Sequence, residues 1–277
     1  MDIERLAINQ ITTPAWSLEQ AIEGYARHGV HGIGIWRDKL AECGLKRART
    51  ALKSADAWVP SLCKTGSIAQ FSGSGHKAVL DDCYRAIEEA AEIGAPCVVF
   101  VCGGIGASDQ SIDSARGHVS EVLHKTSAFA LEHGVHLGIE PFHPMHAADR
   151  GCVNTLAQAH CLCSEIGPAA QVVLDVFHVW WDPDLYRYLV PPFTDNTICV
   201  QLCDWRVPTR HPVEDRAMPG DGAANVRGIV GHLESHGYKG PYEMEIFSQD
   251  WWRADPDDVV LVCIARYTDL FNATQII

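Results

Sequence analysis

One unit recurs along this chain and limits its fold more than any single segment does. A stretch of helical periodicity ends at glycine, and a short apolar, β-branched run follows within a few positions. It appears as ARHGVHGIGIW (Ala26 to Trp36), EIGAPCVVFVCGG (Glu92 to Gly104) and LEHGVHLGIEPF (Leu131 to Phe142). It returns as SEIGPAAQVVLDVFHV (Ser164 to Val179) and ESHGYKGPYEMEIF (Glu234 to Phe247). Glycine supplies the positive φ that closes a helix C-terminus. An apolar run without alternation suits a strand covered on both faces, as in a parallel sheet.

Filling the gaps predicts strands near 5–11, 31–36, 57–63, 97–102, 135–140, 171–176, 197–203 and 241–246. Helices are expected near 17–28, 44–55, 76–93, 111–133, 154–166, 184–190, 224–236 and 256–271. Eight strand–helix pairs in 277 residues average about 35 residues each, the size of a βαβ repeat. No Pro/Gly/Ser-rich linker divides the chain, so residues 1–277 read as one α/β domain, a (β/α)8 TIM barrel. A doubly wound open sheet is the competing arrangement, but no glycine fingerprint follows the first strand. His28, His133 and His236 each precede a helix-ending glycine, and they read as partners of the helix C-terminus, not as ligands.

Charge narrows the function. Acidic residues outnumber basic ones 35 to 22, giving a net charge of -13 that would repel a polyphosphate, so no nucleic-acid partner is expected. No apolar stretch approaches the roughly 18 residues of a membrane span and no charged-then-apolar leader opens the sequence, so no membrane partner and a cytoplasmic location are expected. The 11 cysteines contain no C-x-x-C pair and read as small, reduced core residues.

In a barrel of this kind chemistry gathers at the C-terminal ends of the strands. Four consecutive strands end in metal-capable groups: GIEPFHP offers Glu140 and His143, and LDVFHV offers Asp175 and His178. VQLCDWR offers Gln201, Asp204 and Arg206, and YEMEIF offers Glu243 and Glu245. A lone polar group in an apolar run is costly unless paired or metal-bound, so the strength of the signal lies in the set. Carboxylates with an amide oxygen suit one divalent ion, Mn2+ first, with Mg2+, Co2+ or Zn2+ as alternatives. On strand eight Glu245 is the preferred ligand and Glu243, two residues deeper on the same face, is the alternative.

GIEPFHPMHAADR, the D-x-x-H of LDVFHV, VQLCDW, the GDG of AMPGDG and the E-I-F of YEMEIF resemble the sugar phosphate isomerase/epimerase superfamily. This is the xylose isomerase-like TIM-barrel group that includes tagatose epimerases and inosose isomerases and dehydratases. The resemblance implies a metal held by Glu140, Asp175, Gln201 and Glu245, and a substrate-binding role for His178. Many members carry histidine where this chain has Gln201, which leaves the identity of the metal open.

The implied reaction is isomerisation or epimerisation of a keto-sugar or polyol-derived ketone through a metal-bound enediolate. Glu140 and Glu245 would remove and return the proton. EPFHPMHAADR followed by CVNTLAQA also resembles the catalytic subunits of C-glycoside deglycosidases, lyases that eliminate an aglycone from a 3-keto-glycoside. There His143 would be the base. Such enzymes pair with a small β-rich chain; a homo-oligomer is the other expected assembly. An apurinic endonuclease of the same group would need a His-rich zinc cluster and a basic face, which this sequence lacks, and a non-catalytic sugar-binding barrel is the remaining alternative. Trp36, Arg37 and Lys64 are expected to line the mouth with His178 and Arg206, over a sugar or glycoside. Thr209 to Gly222, carrying His211, Asp215 and Arg216, is expected to form a mobile lid.

Overall fold

The computed structural model describes residues 3–65, 76–106 and 111–272. Its strands are β1 (Leu6–Asn9), β2 (Gly32–Trp36), β3 (Leu62–Thr65), β4 (Cys97–Val101), β5 (His136–Glu140), β6 (Ala170–Asp175), β7 (Thr197–Leu202), β8 (Asp204–Trp205), β9 (Arg216–Ala217) and β10 (Tyr242–Met244). β1 pairs in parallel with both β2 and β10, and β10 pairs with β7, so the eight long-range strands close on themselves. That closure excludes the open sheet. β8 and β9 form a separate antiparallel ribbon beside the barrel mouth.

The helices are α1 (Leu18–Arg27), α2 (Arg37–Cys43), α3 (Leu45–Ser54), α4 (His76–Ile93), α5 (Ile112–Glu132), α6 (Leu156–Ile166), α7 (Val176–Val179), α8 (Val226–Ser235) and α9 (Pro256–Asn272). The five glycines of the recurring unit all have positive φ at helix ends: Gly29 82°, Gly94 74°, Gly134 67°, Gly167 86° and Gly237 84°. Side chains close several of the other ends. Ser17 and Gln20 form a reciprocal capping box on α1, and Thr155 accepts from the Gln158 amide on α6. The histidines beside the glycines behave as C-terminal partners in two cases, since His133 and His236 face the carbonyls of Phe129 and His232 at 2.8 and 2.9 Å. His28 instead reaches Asp257 at 2.6 Å.

Three expectations shift. The third strand begins at Leu62 instead of near 57, because Pro60 has no N–H for the ladder; before it only Trp58 bridges to Gly32. The sixth crossover holds no helix over 184–190. It has the one-turn α7 directly after Asp175 and a 3-10 turn at Leu185–Tyr188, in a stretch interrupted by Pro183, Pro191 and Pro192. An additional helix, α2, precedes the expected one, with Gly44 at φ 85° between them.

Two apolar layers result. The larger lies between strands and helices, while inside the barrel Cys63, Cys97, Val99 and Val173 pack as a small separate cluster. The cysteines are free thiols, and small side chains here leave space within the barrel for buried polar groups. No helix among the described residues is long and apolar enough to cross a membrane.

Gly34 on β2 shows how closely that interior is fitted. A Cβ there would press on the Glu243 carboxylate and stand 3.0 Å from Asn9 Nδ2. Gly34→Ala is therefore expected to destabilise the protein by about 1–3 kcal/mol. Urea unfolding measures it, and an unchanged midpoint would show that Glu243 is free to move aside.

Candidate metal and substrate site

Strand register sets the levels of the polar groups. Asp175 pairs with Gln201 across β6 and β7, and Gln201 pairs with Glu243 across β7 and β10. Glu245 lies two residues past Glu243, one full side-chain period or about 7 Å further toward the mouth. Glu140 ends β5 opposite Val101 of β4. Glu140, Asp175, Gln201, Glu243 and Glu245 are all buried.

The group that joins them is Arg216, the first residue of β9. Its Nη1 lies 2.9 Å from Asp175 Oδ2 and 2.9 Å from Glu245 Oε2, and the guanidinium carbon stands 4.5 and 4.8 Å from the ring centroids of Phe177 and Phe247. Burial by itself would lower the Arg216 pKa, but the neighbouring carboxylates outweigh it and hold the group firmly charged. The segment expected to form a lid runs partly inside the mouth. Residues 207–212 are exposed, but Asp215, Arg216, Ala217 and Met218 are buried, because the β8–β9 ribbon carries the segment back into the mouth.

Gln201 donates from Nε2 to Glu245 Oε1 at 3.3 Å, while its own Oε1 is buried without a partner. Glu140 accepts no hydrogen bond among the described residues and faces His178 Nε2 at 3.7 Å, the same distance that separates that nitrogen from Asp175 Oδ2. His178 Nδ1 accepts from the His143 backbone N–H at 3.2 Å, so the neutral ring carries its proton on Nε2, aimed between the two carboxylates. Burial first, then Arg216, keeps the imidazole pKa well below its ordinary value. Glu140, Asp175 and His178 lie close enough for an ion to sit among them, and with Nε2 protonated it is the two carboxylates that could ligate it. The unpartnered amide oxygen and the under-bonded Glu140 fit a hard divalent cation.

Glu243 belongs to a lower tier. It accepts from Ser61 Oγ at 2.9 Å, from Asn9 Nδ2 in a short contact and from Cys199 Sγ at 3.5 Å. Asn9 Nδ2 also reaches Glu245 Oε1 at 3.2 Å, and Asn9 Oδ1 accepts from Trp36 Nε1 at 2.7 Å. With its acceptor sites taken at the barrel floor, Glu243 is held apart from Asp175 and Glu140, and Glu245 is the strand-eight carboxylate at the mouth.

Trp36, Lys64, Glu140, His178 and Glu245 all line one small pocket with Phe142, Arg150, Arg216 and Phe247. Arg206 is not among them. Its Nε pairs with Asp215 at 2.9 Å and its Nη2 with Asp250 at 3.4 Å, so it stands outside the pocket it was expected to line. Asp204 is used up locally, accepting from the backbone N–H groups of Trp205, Gly220 and Ala224. His143 also stands off the pocket, its ring stacked on Trp205 at 5.0 Å and its Nδ1 capping Met145 N. Arg37 turns toward α4, to Asp82 and Glu89. Arg150 and Asn9 were not anticipated as site residues, and Arg216 was anticipated only as part of a lid. Asn9 carried a signal, a polar residue closing an apolar strand, but the arginines follow loops whose return path no periodicity reports.

The xylose isomerase-like TIM barrel model matches residues 22–261. The chain belongs to that family. This xylose isomerase-like barrel superposes on protein SMc04130 from Sinorhizobium meliloti 1021 with a TM-score of 0.93 and 39% identity, over 97% of this chain and 99% of that one. It superposes on the IolI protein, whose structure holds a zinc atom, with a TM-score of 0.84 and 20% identity, over 96% and 97% of the two chains. In sequence it is 25% identical over 251 residues to 3-dehydroshikimate dehydratase of Pseudomonas putida KT2440. That alignment covers 87% of this chain but spans only 37% of the relative's length.

Burial, and then the nearby Asp175, push the Glu140 carboxyl up to about 8, so without metal it holds a proton at pH 7. A cation binding there must displace that proton. Metal affinity should therefore rise as pH increases toward 8 and level off above it, with proton release near neutrality. Calorimetry in buffers of different ionisation enthalpy measures the release; buffer-independent heats would contradict it. Arg216→Met should cost the metal-free protein about 3–5 kcal/mol by leaving Asp175 and Glu245 buried without their counter-charge. Thermal unfolding should show that loss partly reversed by added Mn2+. An equal loss with and without Mn2+ would place Arg216 outside the metal site.

Proposed function

We propose that this chain is a divalent-metal-dependent isomerase or epimerase acting on a keto-sugar or polyol-derived ketone by proton transfer beside the carbonyl. The observation that carries this reading is the pair Glu140 and Glu245. They reach one pocket from separate strands of the barrel wall, β5 and the residues after β10, with β6 and β7 between them, and burial holds both above the ordinary carboxylate range. Carboxyls with raised pKa values are suited to take and return protons near neutral pH. Two of them on separate elements can serve two faces of a carbon, which inversion requires.

Glu140, Asp175, Gln201 and Glu245 would hold the metal, with Mn2+ favoured by their all-oxygen donors and the zinc of IolI as a precedent for a cation in this fold. When bound, such an ion polarises a carbonyl oxygen and stabilises negative charge on it. The remaining steps fall to the chain itself. Glu140 or Glu245 accepts the proton leaving carbon, and the other delivers one to the opposite face. His178 presents its Nε2–H toward the site as a donor to a substrate oxygen. Trp36, Phe142 and Phe247 wall the pocket with apolar surface and keep water from the carbanion.

A second reading is a lyase in which the same proton removal is followed by departure of a hydroxyl group, as water, or of the aglycone from the β-carbon. The alignment with a dehydratase supports it. The position of His143 argues for Glu140 or Glu245 as its base.

Incubating the Mn2+-loaded protein with a panel of keto-sugars and 3-keto-glycosides in D2O tests both. Isomerisation yields product with deuterium at the reacting carbon, whereas elimination yields released aglycone or an unsaturated ketone. Glu140→Gln and Glu245→Gln should each slow turnover about 10²–10⁴-fold. Product formed without any solvent deuterium would overturn proton transfer through these carboxyls.

A further inference from the structure

Two cations in the pocket have no work to do in the chemistry above. Lys64 follows Cys63 on β3, and Arg150 stands in the loop after β5; both are half-buried and line the same pocket as Glu140 and His178. Neither makes an ion pair or a side-chain hydrogen bond among the described residues, and Arg150 only lies over the Phe142 ring, 5.5 Å from its centroid. The other partly buried arginines are bound: Arg5 to Glu234, Arg37 to Asp82 and Glu89, Arg116 to Asp113 and the Cys152 carbonyl, Arg206 to Asp215, and Arg266 to Asp221.

Charge balance sharpens the contrast. Glu140, Asp175, Glu243 and Glu245 carry at most four negative charges, and Arg216 with a divalent cation supplies three positive ones. Lys64 and Arg150 together then exceed the remaining carboxylate charge by one, held partly out of water with neither engaged in an ion pair or side-chain hydrogen bond among the described residues. Burial first, and then Arg150, lowers the Lys64 pKa; burial and then Arg216 lowers that of Arg150. A cost of that kind is offset when an anion arrives, and a guanidinium beside an ammonium is a common way of gripping oxyacids.

We propose that Lys64 and Arg150 form a subsite for an oxyanion group, carboxylate or phosphoryl, that the substrate carries away from its reacting carbonyl. This rests on the pocket being the reaction site and narrows its substrate to an acidic polyhydroxy ketone. A neutral keto-sugar would bring neither cation an anionic group.

Matched probes test it by calorimetry, with and without Mn2+, independently of turnover. Quinate is compared with its methyl ester for the carboxylate arm, and glucose 6-phosphate with glucose for the phosphoryl arm. The anionic member of at least one pair should bind about tenfold more tightly or better, the arm showing the preference identifying the group. Lys64→Gln and Arg150→Gln should each remove most of that preference. Lys64→Arg and Arg150→Lys should retain it, which separates lost charge from lost folding. Equal affinity within both pairs, no binding of either anion, or a preference that survives both neutral substitutions would overturn the subsite. A preserved anion preference in a protein inert in the D2O assay would instead fault the proposed reaction and leave the subsite standing.

Discussion

Asp175 and Glu245 reach the barrel mouth as carboxylates fully withdrawn from water, with Glu140 beside them, and like charges so placed would repel one another by several kcal/mol without a cation among them. Arg216 meets that requirement within the chain, with one nitrogen 2.9 Å from each of two carboxylates. Much of the surrounding architecture keeps this one guanidinium in position. The β8–β9 ribbon carries it inward, Phe177 and Phe247 lie against it, and Asp204 ties the loop by accepting from Gly220 and Ala224. Gly222 has no side chain because a Cβ there would run into Asp204 and the Trp205 carbonyl. The GDG of the sequence is therefore a packing requirement of the loop that delivers Arg216.

The barrel was legible because its evidence is local and repeated. Helix-ending glycines need a backbone conformation that other residues seldom adopt, and five in register with apolar runs leave few alternatives. The carboxylates were legible because a charged residue inside an apolar strand is expensive and therefore informative. Arg206 and Arg216 show where that reasoning stops. Both are arginines after the seventh strand, ten residues apart, and periodicity says nothing about which one a loop turns inward. The structure sends Arg206 to Asp215 and Asp250 at the rim and Arg216 to the carboxylates. His143 was similarly ambiguous: three residues past Glu140 is close in sequence, yet the 3-10 turn at Pro144–His146 makes its ring a cap instead of a pocket wall.

Glu243 and Glu245 have the same side-chain chemistry and the same strand face, and what separates their roles is their partners. Glu243 collects donors from Asn9, Ser61 and Cys199, whereas Glu245 shares its oxygens among Arg216, Gln201 and Asn9. Asn9 is the link between the tiers. Its Oδ1 already accepts from Trp36 and from the Ile11 amide, which fixes the side-chain amide so that Nδ2 faces both glutamates. The lower carboxylate thus holds Asn9, Asn9 steadies Glu245, and Trp36 is oriented by the same residue. Under the proposed reading metal and substrate would sit above a floor whose polar groups are already satisfied, and the less satisfied groups of the upper tier, Glu140 and the Gln201 amide oxygen, support that reading.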